Sequence, residues 1–146
     1  MSYALDTNLL IRSIEKDHPK RPEALVAINK LLRAGEEIFI LPQNLIEFWA
    51  VATRPKDVEG LGLTAAESSA HIVTFETLFS LKEDTSAIYL EWKRLVNQHA
   101  VMGKNVHDAR IAAALTVHGI NHLVTFNKKH FKRFSAFTTL LPTEVL

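Results

Sequence analysis

Tyr3-Ala4-Leu5-Asp6-Thr7-Asn8 is the stretch whose reading decides the fold. Apolar residues run straight into Asp6, and Thr7 and Asn8 follow at once. The pattern predicts a short buried strand over residues 2 to 6 that ends on a carboxylate. An unpaired charge in such a place costs several kcal/mol, so it calls for a partner or a metal ion. Three later positions supply matching groups: Glu47, Asp108 and the uncharged Asn127.

Working outward, helical spacing begins immediately after the strand, with Leu9, Leu10, Ser13 and Ile14 on one face. His18-Pro19 interrupts it. A second helix is expected from about Arg21 to Ala34, with Leu25, Ile28, Leu31 and Leu32 as its apolar stripe and Gly35 at its C-terminal end. Residues 37 to 41 (EIFIL) read as a second strand ended by Pro42. Residues 43 to 53 read as an almost wholly apolar, hence buried, helix in which Glu47 is the only charge. Thr64 with Glu67 forms the signature of a capping box and opens a helix to about Phe79. A short extended piece is expected over residues 78 to 82. Asp84-Thr85-Ser86 is rich in N-cap residues and precedes a helix to about His99. The next helix, capped by Asn105 or His107 and ending before Gly119, carries Asp108, Ile111, Ala112 and Leu115 inward. Strands are expected over residues 122 to 126 and 136 to 141, with a basic turn or short helix over residues 127 to 134.

Strands alternating with helices predict a parallel sheet covered on both faces. Ligands of such sheets gather beyond the carboxyl ends of the strands. Asp6, Glu47, Asp108 and Asn127 can all reach that one end. Each has an ordinary reading when taken alone. Asp6 caps a helix, Glu47 pairs with Arg54 or Gln43, Asp108 complements a helix dipole, and Asn127 shapes a turn. Together these require separate explanations for three carboxylates on apolar faces. Like charges brought together raise each other's pKa, and a divalent cation relieves them at once. Hard oxygen ligands point to magnesium or manganese, and to metal-assisted phosphodiester hydrolysis.

Composition narrows the alternatives. A length of 146 residues predicts one domain, spanning residues 1–146, with a substantial core. The 47% apolar and 23% charged content excludes a disordered chain. The absence of cysteine excludes disulfides, thiolate zinc sites and a cysteine nucleophile. No apolar run is long enough for a membrane span, and no signal peptide is expected before Asp6, so a cytoplasmic protein is the default. A net charge of +1 leaves only local patches for nucleic acid.

The ordered set LDTN (Leu5 to Asn8), Glu47 within LIEFW, HDARIAA (His107 to Ala113) and LVTFNKKHF (Leu123 to Phe131) resembles the PIN-domain family over essentially the whole chain. Length and motif set look like the VapC toxins of toxin–antitoxin pairs. The resemblance implies a three-layer α/β/α sandwich around a parallel sheet. It further implies a Mg2+- or Mn2+-dependent ribonuclease acting on RNA, a homodimer, and a small antitoxin partner. Asp6, Glu47 and Asp108 match the acidic metal positions, Thr7 and Asn8 the polar pair after the first acid, and Thr125 the threonine of the last motif. Asn127 and His130 stand where many members carry an aspartate, which leaves a second metal open.

Two other functions compete. A phosphatase of the haloacid dehalogenase type also begins with a strand-end Asp, but it needs a second Asp where this chain has Asn8. A non-enzymatic binding module would keep the fold with a decayed site at Asn127, against which stand three intact acids. Lys128, Lys129, Lys132 and Arg133 alternate with Phe131 and Phe134. This stretch either holds an RNA backbone and stacks a base or packs two phenylalanines inward. Lys104 and Arg110, which flank Asp108, are further candidates for phosphate contact.

Overall fold

The computed structural model describes all 146 residues. Five strands form one parallel sheet: β1 (Ser2–Leu5), β2 (Glu37–Ile40), β3 (Ser80–Leu81), β4 (His122–Val124) and β5 (Thr138–Leu140). Six α-helices connect them: α1 (Thr7–Ile14), α2 (Arg21–Arg33), α3 (Pro42–Thr53), α4 (Ala65–Leu78), α5 (Ser86–Gln98) and α6 (Asn105–His118). The strand order is β3-β2-β1-β4-β5. The chain therefore builds one half of the sheet, then returns to the other side of β1. The reversal lies between β1 and β4, the place where an open parallel sheet leaves a crevice.

Alternation along the strands explains the layers. Tyr3 and Leu5 face one side of the sheet and join a core with residues of α1 and α2, Phe48 of α3 and Phe75 of α4. Ala4 faces the other side, with Phe39 and Leu123, under α5 and α6. The result is an α/β/α sandwich, as the strand–helix alternation predicts. α6 buries Ala109 and an unbroken run from Ile111 to Leu115, and its alanines let it lie close to both the sheet and α5. Gly119 ends it at φ +66°, a conformation that costs glycine little.

Several local expectations change. α3 is not buried all round: Ile46 is 68% exposed and Trp49 36%, while Gln43, Asn44, Phe48 and Ala52 point inward. The buried stripe of α2 is Ala24, Ala27, Ile28 and Leu31, with Leu25 half-buried and Leu32 exposed. Ala24 and Ala27, not Leu25 and Leu32, are buried beside Ile28 and Leu31. Pro42 opens α3 at its first turn instead of only closing β2. Neither Asn105 nor His107 caps α6, whose N-cap is Lys104. The capping box at Thr64 and Glu67 is present in both directions, each bond 3.0 Å. No helix is long and apolar enough to cross a membrane.

Candidate functional site

The carboxyl ends of β1 and β4 are neighbours: Leu5 pairs with Val124, and the Asp6 amide donates to the Val124 carbonyl at 2.9 Å. This places Asp6 beside Thr125. Asp6 is the N-cap of α1, so the ordinary reading of that residue holds too. Its Oδ1 accepts from the Thr7 amide at 2.8 Å. Its Oδ2 accepts from the Thr125 hydroxyl at 2.7 Å and from Asn8 Nδ2 at 3.4 Å. Asn8 also donates to Thr125 Oγ1 at 3.3 Å and accepts from the Phe126 amide at 3.3 Å, clamping β4 to α1. Three donors leave part of the carboxylate's acceptor capacity free.

Glu47 stands on α3, one turn from its start. Thr7 Oγ1 donates to Oε1 at 2.7 Å and Gln43 Nε2 to Oε2 at 3.1 Å. Of the two partners that sequence offers for Glu47, Gln43 is used and Arg54 is not. Arg54 is exposed and forms no ion pair, so Arg54→Ala is expected to leave cation affinity unchanged and stability within about 0.5 kcal/mol. Calorimetric titration checks it, and a large loss of affinity would make Glu47 a structural partner. Thr7 is itself held by the buried Asn44, whose Nδ2 donates to Oγ1 at 3.2 Å. Thr7→Val keeps the shape but strands that amide and one carboxylate oxygen. A loss of about 1–3 kcal/mol in urea unfolding is expected.

Asp108, in the first turn of α6, is 25% exposed. The one group within ion-pair distance of it is the His130 imidazole, whose Nδ1 lies 3.3 Å from Oδ2. Asn127 is exposed, and its side chain makes no hydrogen bond; only its amide joins the network, donating to Thr125 Oγ1 at 3.0 Å. The structure thus brings Asp6, Glu47 and Asp108 to one end of the sheet with Thr7, Asn8 and Thr125 among them. It does not bring the Asn127 side chain to the acids. Asn44, which holds Thr7 through a neutral amide, has no distinctive sequence signal.

The three acids act on one another's charge. Burial pushes Asp6 up to about 6; the bonds from Thr125 and Thr7 oppose this, and the charges of Asp108 and Glu47 add to it. Asp108 is also raised, first by burial, with His130 lowering it and Glu47 raising it. No lysine or arginine pairs with any of the three. As the side chains stand, no three His, Asp or Glu residues already enclose an ion. An all-oxygen, triply acidic donor set without a compensating cation fits a hard divalent ion, toward which the mutually repelled carboxylates would close.

Beside Glu47 opens a cleft of about 450 Å³ lined by Gln43, Ile46, Glu47, Asp84, His107 and Arg110. Arg110 reaches Gln43 Oε1 at 3.1 Å and Asp84 Oδ2 at 3.1 Å. The basic stretch after β4 does not offer stacking rings: Phe131 is 1% exposed and Phe134 6%. Lys128 pairs with Glu144 at 2.8 Å.

The PIN-domain family model matches residues 3–136. This chain belongs to the PIN-domain family. Solved structures of similar fold include VapBC2 from Rickettsia felis bound to a DNA fragment from its promoter (20% identity, 97% of this chain and 98% of that one, TM-score 0.70). VapBC-1 from nontypeable Haemophilus influenzae is alike at 20% identity, 98% and 99% coverage, and TM-score 0.70. VapC20 of Mycobacterium tuberculosis, described as a Sarcin-Ricin loop cleaving toxin, is similar at 14% identity, 92% and 97% coverage, and TM-score 0.64. At these identities the likeness is one of fold. No curated protein sequence matches the chain. The PIN fold explains why the acids meet: its reversal between β1 and β4 is where Asp6 and Thr125 stand.

Proposed function

We propose that this PIN domain is a divalent-cation-dependent endoribonuclease, the toxin of a toxin–antitoxin pair. The observation that carries this is the triad Asp6, Glu47 and Asp108, gathered at the sheet's carboxyl end and tied down by neutral donors with no lysine or arginine to balance it. Asp6, Glu47 and Asp108 would hold a hard divalent cation, Mg2+ or Mn2+. When bound, the cation supplies Lewis-acid polarisation of the scissile phosphoryl group. Thr125, Thr7 and Asn8 keep Asp6 and Glu47 in fixed rotamers, so little reorganisation is left for the moment of reaction. Arg110, on the rim of the adjoining cleft, is placed to meet an RNA phosphate. Asn127 stays at the edge and has no part in this mechanism.

The similar complexes from R. felis and H. influenzae support a small antitoxin as partner. A homodimer working in the cytoplasm completes the proposal. The test is cleavage of structured RNAs by purified, partner-free protein with Mg2+, with Mn2+ and with EDTA. Cation-dependent cleavage is expected. No cleavage, together with no cation binding, would favour a PIN-fold binding module.

A further inference from the structure

One group beside the acids is neither an acid nor a neutral clamp. His130 sits in the single 3-10 turn Lys128–Phe131 that follows β4. The turn is anchored, not free: the His130 amide donates to the Asn127 carbonyl at 3.0 Å, and the next side chain, Phe131, is buried in the α5/α6 core with Ile111 and Leu115. The ring is 46% exposed, and its Nδ1 faces Asp108 Oδ2 across 3.3 Å. A charge-assisted N–H···O bond closes to about 2.7–2.9 Å. Two donors in adjacent positions of an octahedral cation, each bonded at about 2.1 Å, stand about 3 Å apart. The observed separation is that of a long hydrogen bond, and it is also close to that of neighbouring ligands on one cation.

We propose that His130 supplies a nitrogen ligand on the Asp108 side of the cation site, and that this biases the site away from magnesium toward a divalent transition-metal cation. The proposal rests on the cation site described above. Carboxylate oxygens alone suit Mg2+ and Mn2+ alike, whereas imidazole is a ligand for first-row transition cations and Mg2+ keeps to oxygen. Asn127 does not compete for the place, because its side chain is exposed and unengaged. A histidine kept only as the electrostatic partner of Asp108 would influence every divalent cation equally. A ligand separates them.

The experiment uses full-length protein stripped with EDTA, titrated with Mn2+ and separately with Mg2+ by calorimetry. The Mn2+-loaded form is then examined by electron spin echo spectroscopy for nitrogen coupling. Wild type, His130→Ala, His107→Ala and Asp6→Asn are compared; His107 neighbours Asp108 and is the control for a different imidazole. The expected result is nitrogen coupling in wild type and His107→Ala that is lost in His130→Ala. With it goes a loss of about tenfold in Mn2+ affinity and almost none in Mg2+ affinity. Mn2+ that binds wild type and not Asp6→Asn, but shows no nitrogen coupling, overturns the role of His130 and leaves the cation site standing. Equal weakening of Mn2+ and Mg2+ in His130→Ala does the same, as does coupling that disappears in His107→Ala instead. No binding of either cation to wild type overturns the cation site itself, and His130's role with it.

Discussion

Asp6→Asn is expected to abolish RNA cleavage, by about a thousandfold or more, while leaving the protein folded. The estimate follows from the site. A cation contributes several kcal/mol of charge stabilisation, and about 4 kcal/mol corresponds to a thousandfold in rate. Asn keeps the size of Asp6, and its Oδ1 can still accept from the Thr7 amide; its Nδ2 replaces the oxygen that accepts from the Thr125 hydroxyl, but the backbone bond from the residue 6 amide to Val124 still joins β1 to β4. It removes the most buried of the three charges, at 6% exposure. The same change is expected to stabilise the cation-free protein at neutral pH. At that pH Asp6 is ionised, although burial has pushed its pKa up to about 6 from the ordinary carboxylate value near 4. Two pH units correspond to about 3 kcal/mol. An Asp6→Asn variant with full activity, measured beside circular dichroism and urea unfolding to confirm the fold, would remove Asp6 from the chemistry.

A divalent cation is expected to raise the melting temperature, and the size of the rise is expected to depend on pH in a definite direction. Because the folded-state pKa of Asp6 is raised, the native state binds more protons than the unfolded chain between about pH 4 and 6. Its contribution to stability is therefore complete below pH 4 and lost as pH climbs through 6. Asp108 is raised too and acts in the same sense. The cation binds the ionised form and restores what ionisation costs. At ten to a hundred times Kd, binding contributes about 1.4–2.7 kcal/mol, which for a chain of this size is a rise of several degrees. The shift should be present at pH 7.5, shrink toward pH 5, and vanish in Asp6→Asn. Differential scanning calorimetry of EDTA-stripped protein checks this. An equal shift at both pH values would mean that the ion binds elsewhere.

Much of this was legible in the sequence because it depended on simple periods. YALDTN announces a strand end and a cap in six residues, Glu47 is the only charge of an apolar helix, and Asp108 shares a helical face with Ile111, Ala112 and Leu115. Less legible were the features set by packing. α3 reads as apolar all round, yet Ile46 and Trp49 face outward, because only one stripe of a helix can lie on the layer beneath it. The stripe of α2 reads through Leu25, Ile28, Leu31 and Leu32; Ile28 and Leu31 are buried, but Ala24 and Ala27 accompany them in place of Leu25 and Leu32. Phe131 and Phe134 stand among lysines and an arginine and still turn inward, since burying an aromatic ring outweighs the character of its neighbours. Gln43 was legible as a partner of Glu47 four residues on, whereas Asn44 could not be singled out, because a neutral amide acquires a role only from what lies 3 Å away. Asn127 and His130 differ by one turn of a 3-10 helix. Which of them faces Asp108 is decided by the anchoring of Phe131, not by any pattern in residues 127 to 134.

The central claim is that Asp6, Glu47 and Asp108 form one acidic site completed by a divalent cation. The most direct measurement is a pH titration of the Asp6 carboxyl by carbon-13 NMR, without and with Mg2+ or Mn2+'s diamagnetic substitute Zn2+. The account predicts a midpoint near 6 in the stripped protein and a marked fall when a cation is present. An ordinary carboxylate midpoint near 4 that no cation moves would contradict it.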